Sequence, residues 1–577
     1  LGDWTQGPSG SNWSEDQYGS IADYNICRNT SYTYTVTVNS VNNIRVEVET
    51  SQGDASNVKE NQPGASGLVT IAKEEIALCD AHYASKTMTF HAKNFLDSDG
   101  KSVADELTWS VKTPYCDGMP TLGPNGEDIP DGLDYKWVRF RLNKKDSNGN
   151  YVSTRQAYDP SECMDIRGLV KYIKEEAGEY EKDLEYGTHN SDFDNDNGTD
   201  GPKICVTAFV DEFYYDKNPI TGVTSPTLWK EFVNQPDRTM HILCNSQVSK
   251  DGESRATGSV ITIQQKSIQT IYNTDPSISS LTSAWGLEYK DEYPGIWSFP
   301  QVSGIGNSSN SNGLLNSVKL WGLYSGSSFK DREWDTYMNF EVDNDTPQLN
   351  NNYQNLRYSC MTRNRDNNGD GKIDRDEIRW YTASINQLIG LYIGDGLVDP
   401  KSRLYNRSAE EQTSTTPSVW MQHVASSTTD DNGYSTIVWA EEGIATGPSN
   451  NPQDGAGNEM TIRCVRNLGM AVNADLDEEP QNYIQKSSSA DGKTTFTNTY
   501  LNPAALRYYT SRELDLHNQN AEENRLYKKF EVYSENTPED VTSVTALGFV
   551  DFNKKVTEAI DKGEDNPYCP AGYRLPN

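Results

Sequence analysis

Several features that define other protein classes are missing from this chain of 577 residues. No run of about eighteen apolar residues occurs, so the sequence contains no segment that we predict to span a membrane. Lys and Arg number 51 against 84 Asp and Glu, and no basic cluster stands out, which argues against binding to nucleic acid. The formal net charge of −33 favours solubility and the binding of cations instead.

Motifs of the common enzyme classes are missing as well. The six histidines are isolated from one another, with no HExxH spacing, and no GxSxG, P-loop or GxGxxG context occurs. The nine cysteines include no CxxC pair, which excludes the common zinc spacings. We therefore predict that the protein is not an enzyme. A carbohydrate-active enzyme with paired carboxylates is kept as a second alternative, because such pairs cannot be recognised among 84 acidic residues.

The first residues contain neither a signal peptide nor a lipid-attachment cysteine. The chain begins at Leu1 and ends at Asn577 without a terminal cap of any kind. We expect it to be a processed or truncated piece of a longer precursor.

What the chain does contain is a complete twelve-residue pattern for a calcium loop at residues 366–377. Its ligands would be oxygen atoms at the spacing of an EF-hand, which a hard divalent cation prefers. The alternative is a surface Asx and Gly turn without an ion, since the same residue types are common in turns. The predicted calcium ligands are Asp366, Asn368, Asp370, the carbonyl of Lys372, Asp374 and Glu377.

The residues around these ligands suggest half of an EF-hand. Gly371 stands where the loop needs a positive φ angle, and Ile373 would anchor the loop in a core. Apolar residues recur at helical spacing over residues 378–392, and a capping box of Asp374 and Glu377 would begin this helix. Because no helical pattern precedes the loop, a structural ion in a secreted protein fits better than a sensor pair.

Alternating polar and apolar segments predict a mainly β fold of tandem β-sandwiches with a C-terminal α+β region. Residues 204–215 form a long apolar run without proline, so we expect a central strand there. The acidic residues 191–198 are interpreted as a solvated turn rather than a second calcium site. The expected organisation is the end of an N-terminal β-sandwich domain at 1–66, a β-sandwich domain at 67–274, an irregular connector with aromatic anchors at 275–354, a calcium-loop α+β module at 355–475, and a polar region that opens a further module at 476–577.

Five segments of the chain carry a resemblance to a known family: residues 28–38, 207–215, 228–234 and 265–272, with the most specific part at 364–381. They resemble segments of fimbrillin-type surface proteins of the Bacteroidales, among them the accessory or tip-type subunits of type V pili. The resemblance implies export as a lipoprotein, a place on the cell surface at the outer membrane, and assembly with other fimbrial subunits by strand donation. The sandwich at 67–274 would then be fimbrillin-like.

A weaker resemblance concerns the C-terminal half. The segment that starts at Cys569 and residues 463–466 are similar to the opening and closing borders of C-type-lectin-like, sulfatase-modifying-type modules, and the resemblance takes in residues 355–470. The leading interpretation is therefore a calcium-stabilised fimbrial or adhesin-type protein that functions in pilus assembly or adhesion. The alternative is a secreted or surface lectin-like module that binds host or bacterial glycans or proteins, for which exposed Trp and Tyr would serve as stacking platforms.

Two further expectations concern the module at 355–475. Cys360 and Cys464 open and close this unit, and an exported protein permits a disulfide, so we expect the two residues to lie close together; buried free thiols are the alternative. Calcium is expected to hold the helix at 378–392 in place. Chelation would then lower the melting temperature of this module and leave the N-terminal sandwiches largely unaffected.

Overall fold

The computed structural model describes residues 71–193, 201–244, 258–272, 281–289, 308–341, 347–403, 423–429 and 461–481, except 98, 395 and 396, together with isolated strands and a few helical residues elsewhere. Chain contacts define two compact units, Leu1–Lys73 with Ser246–Gly258, and Glu74–Asn245 with Ser259–Asn577. In the first unit, β1 (Ser31–Val38) pairs antiparallel with β2 (Ile44–Ser51), which confirms the strands that alternation predicts there.

More of the chain is strand than helix, which confirms the mainly β character. The elements from residue 71 to 265 are β3 (Ile71–Cys79), β4 (Ala84–His91), β5 (Thr108–Lys112), β6 (Asp117–Gly118), β7 (Thr121–Leu122), β8 (Asp128–Ile129), β9 (Val138–Leu142), α1 (Ile166–Tyr186), β10 (Lys203–Val210), β11 (Arg238–Cys244) and β12 (Gly258–Gln265). Short 3-10 helices lie at Ala92–Phe95, Ala104–Glu106 and Leu228–Glu231.

The elements that follow are shorter. They are β13 (Gln269–Thr270), β14 (Ala284–Leu287), α2 (Gly313–Leu320), β15 (Tyr324–Ser325), β16 (Ser328–Phe329), α3 (Trp334–Tyr337), β17 (Met338–Asn339), β18 (Gln348–Leu349), β19 (Trp380–Thr382), α4 (Ile385–Ile393), β20 (His423–Thr429), β21 (Ser435–Trp439), β22 (Ala445–Pro448), β23 (Thr461–Ile462), β24 (Cys464–Leu468), β25 (Ile484–Ser488), β26 (Lys493–Asn498) and β27 (Lys529–Tyr533). Further 3-10 helices lie at Asn351–Tyr353, Leu356–Arg363, Arg375–Glu377 and Pro400–Ser402.

The first hydrophobic core, here called the two-sheet core, is shared by two sheets and α1. One sheet has the strand order β3-β12-β11-β5-β6, and the other has the order β4-β10-β9. Alternate residues of these strands, such as Trp109, Phe140 and Met240, are fully buried in the same cluster. The burial follows from the period of two along each strand, which turns every second side chain to one face.

Strand β10 is the central strand of its sheet. It pairs antiparallel with β4 over its whole length and with β9 over residues 206–210. Its residues from Ile204 to Val210 are all buried, so both faces of the strand are covered, which explains its continuous apolar run. The prediction of a central strand is therefore confirmed for Lys203–Val210. The last five residues of the predicted strand, 211–215, leave the sheet.

Helix α1 covers the two-sheet core with a stripe of apolar residues that recur three and four positions apart. The side chain of Asp165 caps its first turn by accepting a hydrogen bond from the Gly168 N–H at 3.0 Å. Gly187, with a φ angle of 65°, ends the helix in the left-handed conformation.

The second core is built around the four-stranded sheet β13-β14-β24-β19; α2 packs against β19, and α4, which contacts β20 and β21, contributes side chains to the same core. The side chains of Trp285, Trp321, Trp334 and Trp380 are buried in it. The expectation of an irregular connector at 275–354 is wrong for its described part, because β14, the buried helix α2 and three of these tryptophans lie there. The aromatic residues are core residues rather than anchors of a linker.

The second core also takes residues from before position 274, including Phe213 and Trp229. The expected boundaries at 274 and 354 therefore do not separate the two cores. Cys360, on the 3-10 helix Leu356–Arg363, and Cys464, at the start of β24, form a disulfide with their Cα atoms 5.6 Å apart. This confirms the prediction that the two cysteines lie close together.

Candidate metal centre and the joint beside it

The calcium-type loop, residues 366–377, turns around the side chain of Asp366. The two carboxylate oxygens of Asp366 accept hydrogen bonds from the N–H groups of Gly369 and Gly371, at 2.7 and 2.8 Å. Both glycines have positive φ angles, 77° and 82°. At Gly369 an added Cβ would also lie only 2.8 Å from Pro160 Cδ. The turn therefore needs glycine at both positions.

The next two predicted ligands close smaller turns. Asn368 Oδ1 accepts from the Asp370 N–H, and Asp370 Oδ1 accepts from the Lys372 N–H, both at 2.8 Å. The amide of Asn368 donates to Asp374 Oδ2 at 2.7 Å. Burial and the negative charge of Asp370 raise the pKa of Asp374. Acidic oxygen atoms are thus crowded into one short segment.

Glu377, the predicted twelfth-position ligand, is only 3% exposed. Its carboxylate accepts hydrogen bonds from Trp334 Nε1 at 3.2 Å, from the Asn367 N–H at 2.6 Å and from the Asp374 N–H at 3.1 Å. Burial raises the pKa of this carboxyl group. The side chain therefore closes the loop by bonding to both of its ends.

The outer edge of the loop is paired with the segment before α3. Glu333 and Lys372 form an antiparallel bridge, and the N–H of Ile373 donates to the carbonyl of Arg332 at 2.7 Å. The N–H of Trp334 donates to the Gly371 carbonyl at 2.9 Å. Ile373 is completely buried in the second core, as its position in the loop predicts.

The donor set of the loop fits calcium by its chemistry, because carboxylate, amide and carbonyl oxygens are the ligands of a hard cation. In the conformation described, the oxygens of Asp366, Asp370 and Glu377 contact backbone N–H groups. Within the described ranges, no group of three or more His, Cys, Asp or Glu side chains is arranged to hold a metal ion. A cation at this site would compete with the backbone amides for these oxygens.

The helix predicted at 378–392 begins later than expected. Glu377 does bond back to the Asp374 N–H, but this capping box starts only the 3-10 turn Arg375–Glu377. Strand β19 follows and pairs with β24, so Tyr381 lies on a strand. Helix α4 starts after Ser384, whose N–H bonds to Gln387 Oε1 at 2.9 Å in a second capping box. Strand pairing in the second core overrides the helical spacing.

The acidic segment at 191–198 is described only in part. Asp192 accepts hydrogen bonds from the hydroxyl of Tyr172 at 2.5 Å and from Lys145 Nζ at 3.2 Å, so its carboxylate is held against α1. The other two carboxylates of this segment lie outside the described residues.

The calcium-type loop also contacts the two-sheet core. Arg365, directly before the loop, forms an ion pair with Asp211, at the end of β10, and stacks over Tyr158 at 4.0 Å. Asn367 Nδ2 donates to the hydroxyl of Tyr83 at 3.2 Å. The loop therefore lies where the two cores meet.

The centre of this contact is Glu212, a buried carboxylate that sequence reasoning missed. Arg466 forms a fork with it, with Nε 2.7 Å from Oε2 and Nη2 2.9 Å from Oε1. Arg379 Nη1 and Trp380 Nε1 donate to it at 2.6 and 3.0 Å. Burial alone would raise the pKa of Glu212, but Arg466 and Arg379 outweigh burial and lower this pKa to about 2.

A second buried carboxylate, Glu288, lies nearby. It accepts from Arg363 Nε at 2.9 Å and from the Cys464 N–H at 3.1 Å, and His82 Nε2 is 3.8 Å away. Burial, followed by the positive charge of Arg363, lowers the pKa of His82 to about 4. We call the contact made by the Glu212 and Glu288 clusters and the Arg365–Asp211 pair the joint.

The joint could not be recognised from the sequence because its partners are far apart along the chain. Glu212 and Arg466, for example, are 254 positions apart. One local signal exists: Asp211 and Glu212 interrupt a long run of apolar and aromatic residues. An acidic pair in such a run indicates buried charges with partners elsewhere.

Comparisons with protein-family models, with curated proteins and with solved structures found no match to this chain. Among the helices of the described residues, none has both the length and the apolar character needed to cross a bilayer.

Proposed function

We propose that the protein is a calcium-stabilised structural protein of a bacterial cell surface, of the fimbrial or adhesin type. The observation that carries this proposal is the position of the calcium-type loop between two hydrophobic cores. An ion that binds only the folded loop stabilises whatever the loop holds together. A rigid contact between successive parts of the chain suits a protein that transmits force rather than one that turns over a substrate.

The loop would hold calcium through Asp366, Asn368, Asp370, the Lys372 carbonyl, Asp374 and Glu377. The cation would supply positive charge where the acidic side chains repel one another. Burial and the negative charge of Asp370 raise the pKa of Asp374, so this repulsion is already felt within the loop. The function of the ion would be structural, since Glu377 is buried and the loop edge is paired with the segment at residues 332–334.

The edge of the two-sheet core supports assembly with other fimbrial subunits by strand donation. Among the described strands, β3 pairs only with β12 and so leaves one side for a further strand. Ile76 and Leu78 on β3 are 47% and 60% exposed, so they are free to pack beside the side chains of an added strand. In this proposal the two-sheet core is one of several tandem β-sandwiches, exported as part of a lipoprotein to the outer membrane, with glycans or proteins as adhesive partners.

Calorimetric titration with Ca²⁺ and melting with and without chelator test the calcium step. Wild-type protein should bind one calcium ion. Its free energy of unfolding should be about 2.7 kcal/mol higher with calcium at a hundred times the dissociation constant than with chelator. Asp366→Ala and Glu377→Gln should abolish this difference. Asp146→Ala is the matched control, because Asp146 closes a similar exposed turn by accepting from the N–H groups of Asn148 and Asn150. Equal melting temperatures with chelator and with calcium would show that the loop is an ordinary turn that does not bind the ion.

The location on the cell surface is tested separately. Antibodies against this chain should label intact cells that produce the full precursor as strongly as permeabilised cells. Labelling that requires permeabilisation would contradict the surface location and would leave the calcium result standing.

A further inference from the structure

A cleft lies beside the calcium-type loop, between the loop and the turn that follows β24. About 370 Å³ of space not filled by protein atoms lies in this cleft, open solvent included. Its lining includes three arginines, Arg375, Arg379 and Arg466, and apolar residues, among them Ile378 and Met470.

Two of the three arginines retain capacity to bind a ligand. The charge of Arg466 is already paired, because its Nε and Nη2 donate to Glu212 and its Nη1 donates to the Asn467 carbonyl. Arg379 gives Nη1 to Glu212 and Nε to the Asp376 carbonyl, whereas its Nη2 makes no hydrogen bond within the described part of the chain.

Arg375 has no carboxylate within ion-pair distance among the described residues. Its Nη1 and Nη2 donate to the carbonyls of Val472 and Ala474, at 3.2 and 3.0 Å, which leaves one hydrogen on each nitrogen unused. The side chain is half-buried. A partly desolvated cation that has only neutral acceptors gains most from an anion.

We propose that this cleft binds a small monocarboxylate with a short apolar body, held by Arg375 and Arg379. A carboxylate matches the planar fork of guanidinium donors, and the apolar wall would cover the methylene groups of the ligand. A single negative charge is favoured over a dianion such as phosphate. Asp475 lines the cleft, and Asp216 lies 3.8 Å from Arg379 Nη1, so a second charge on the ligand would be repelled.

Hexanoate is a suitable probe, observed by saturation-transfer NMR with the full chain. We expect saturable binding of hexanoate, weaker binding of hexanamide, and no competition by inorganic phosphate at equal concentration. Arg375→Gln should weaken hexanoate binding about tenfold or more, since it removes a charged hydrogen-bond donor. Arg167→Gln is the matched control, because it removes one exposed positive charge far along the chain from the cleft.

Arg375 belongs to the calcium-type loop itself, so a second variant outside the loop keeps the test decisive if Arg375→Gln disturbs the loop. Ala471 is exposed and lines the cleft, so Ala471→Glu would place a carboxylate of the chain itself beside the arginines. This variant should bind calcium normally and lose hexanoate binding. The proposal is overturned if wild-type protein shows no saturable hexanoate signal, if hexanamide or phosphate binds as well as hexanoate, or if Ala471→Glu binds hexanoate unchanged. None of these results depends on calcium binding, so this test is separate from that of the proposed function.

Discussion

The two-sheet core and the second core satisfy their buried polar groups in different ways. In the two-sheet core, β10 and β4 pair over eight residues, so many of the buried backbone groups are satisfied by a regular ladder. In the second core the paired segments are only two to five residues long. Most of its backbone must therefore find partners outside strands.

Asn364 shows how the second core meets this need. It is 1% exposed, and its amide donates to the carbonyls of Cys360 and Trp380 at 3.1 and 2.8 Å. Its Oδ1 accepts from the N–H groups of Arg379 and Trp380, both at 2.8 Å. One side chain thus satisfies four backbone groups that would otherwise need partners in a β-sheet. The comparison teaches that a core with little regular structure depends on specific polar side chains and on a crosslink.

Removal of the Cys360–Cys464 disulfide should have the largest effect, and it should fall on the second core alone. Replacement of Cys360 and Cys464 together by serine opens a loop of 104 residues and should cost about 4.7 kcal/mol by loop-closure entropy. Hydrogen exchange should show lost protection at the amides of β19 and β24, with little change at β10. Cys163→Ser, at a half-buried free thiol, is the control. An equal loss of protection in both cores would mean that they unfold as one unit.

The joint should be the next most sensitive place. Glu212→Gln leaves Arg466 and Arg379 buried without their anion and should lower the free energy of unfolding by about 3 kcal/mol, measured by chemical denaturation. The control Glu162→Gln removes an ion pair in which Glu162 is 57% exposed, and should cost less than about 1 kcal/mol.

The same carboxylate predicts a pH dependence. Because its pKa is lowered from 4.5 to about 2, Glu212 contributes stability that is present above pH 4.5 and is lost as the pH falls towards 2. Glu212→Gln should flatten the stability curve in this window. A wild-type curve already flat between these two pH values would show that the Arg466 contact is not made in solution.

His82 should affect stability in a different pH window. Its pKa is lowered from 6.5 to about 4, so the folded protein resists a proton that the unfolded chain accepts. Stability should fall as the pH drops from 6.5 to about 4, by up to about 1.4 kcal/mol for each pH unit. His82→Gln should remove this slope in denaturation curves recorded across the window. A slope unchanged in the variant would assign it to other groups.

The smallest effect on stability is expected at the exposed edge of the two-sheet core. Ile76→Lys on β3 should change the free energy of unfolding by no more than about 0.5 kcal/mol, because the side chain is 47% exposed. It should nevertheless reduce the number of filaments on cells that produce the precursor, counted by electron microscopy. Leu122→Lys is the matched control, since Leu122 is 71% exposed on the β7–β8 hairpin. Equal filament numbers in both variants would argue against donation at β3.

Sequence patterns predict a structural element correctly where the residues that stabilise the element lie within the same short stretch. Gly371 of the calcium-type loop has the positive φ angle that the loop pattern predicts, and Ile373 is buried as predicted. Helix α4 shows the limit of this reasoning. The spacing of apolar residues predicts a helix from Ile378 onwards. In the structure the helix starts only after Ser384, which forms a capping box with Gln387. The chain before it joins β24, and pairing with a distant strand leaves no periodic signal.

The sequence by itself determined the elements whose stability is local: the alternating strands, the central position of β10 and the turn around Asp366. It also indicated the Cys360–Cys464 pair. Only the tertiary structure decided that the tryptophans of the expected connector are core residues, and that Glu212 meets Arg466 across 254 positions. The physical reason is that buried charges and core side chains are stabilised by whatever surrounds them in space, and chain order does not encode that neighbourhood.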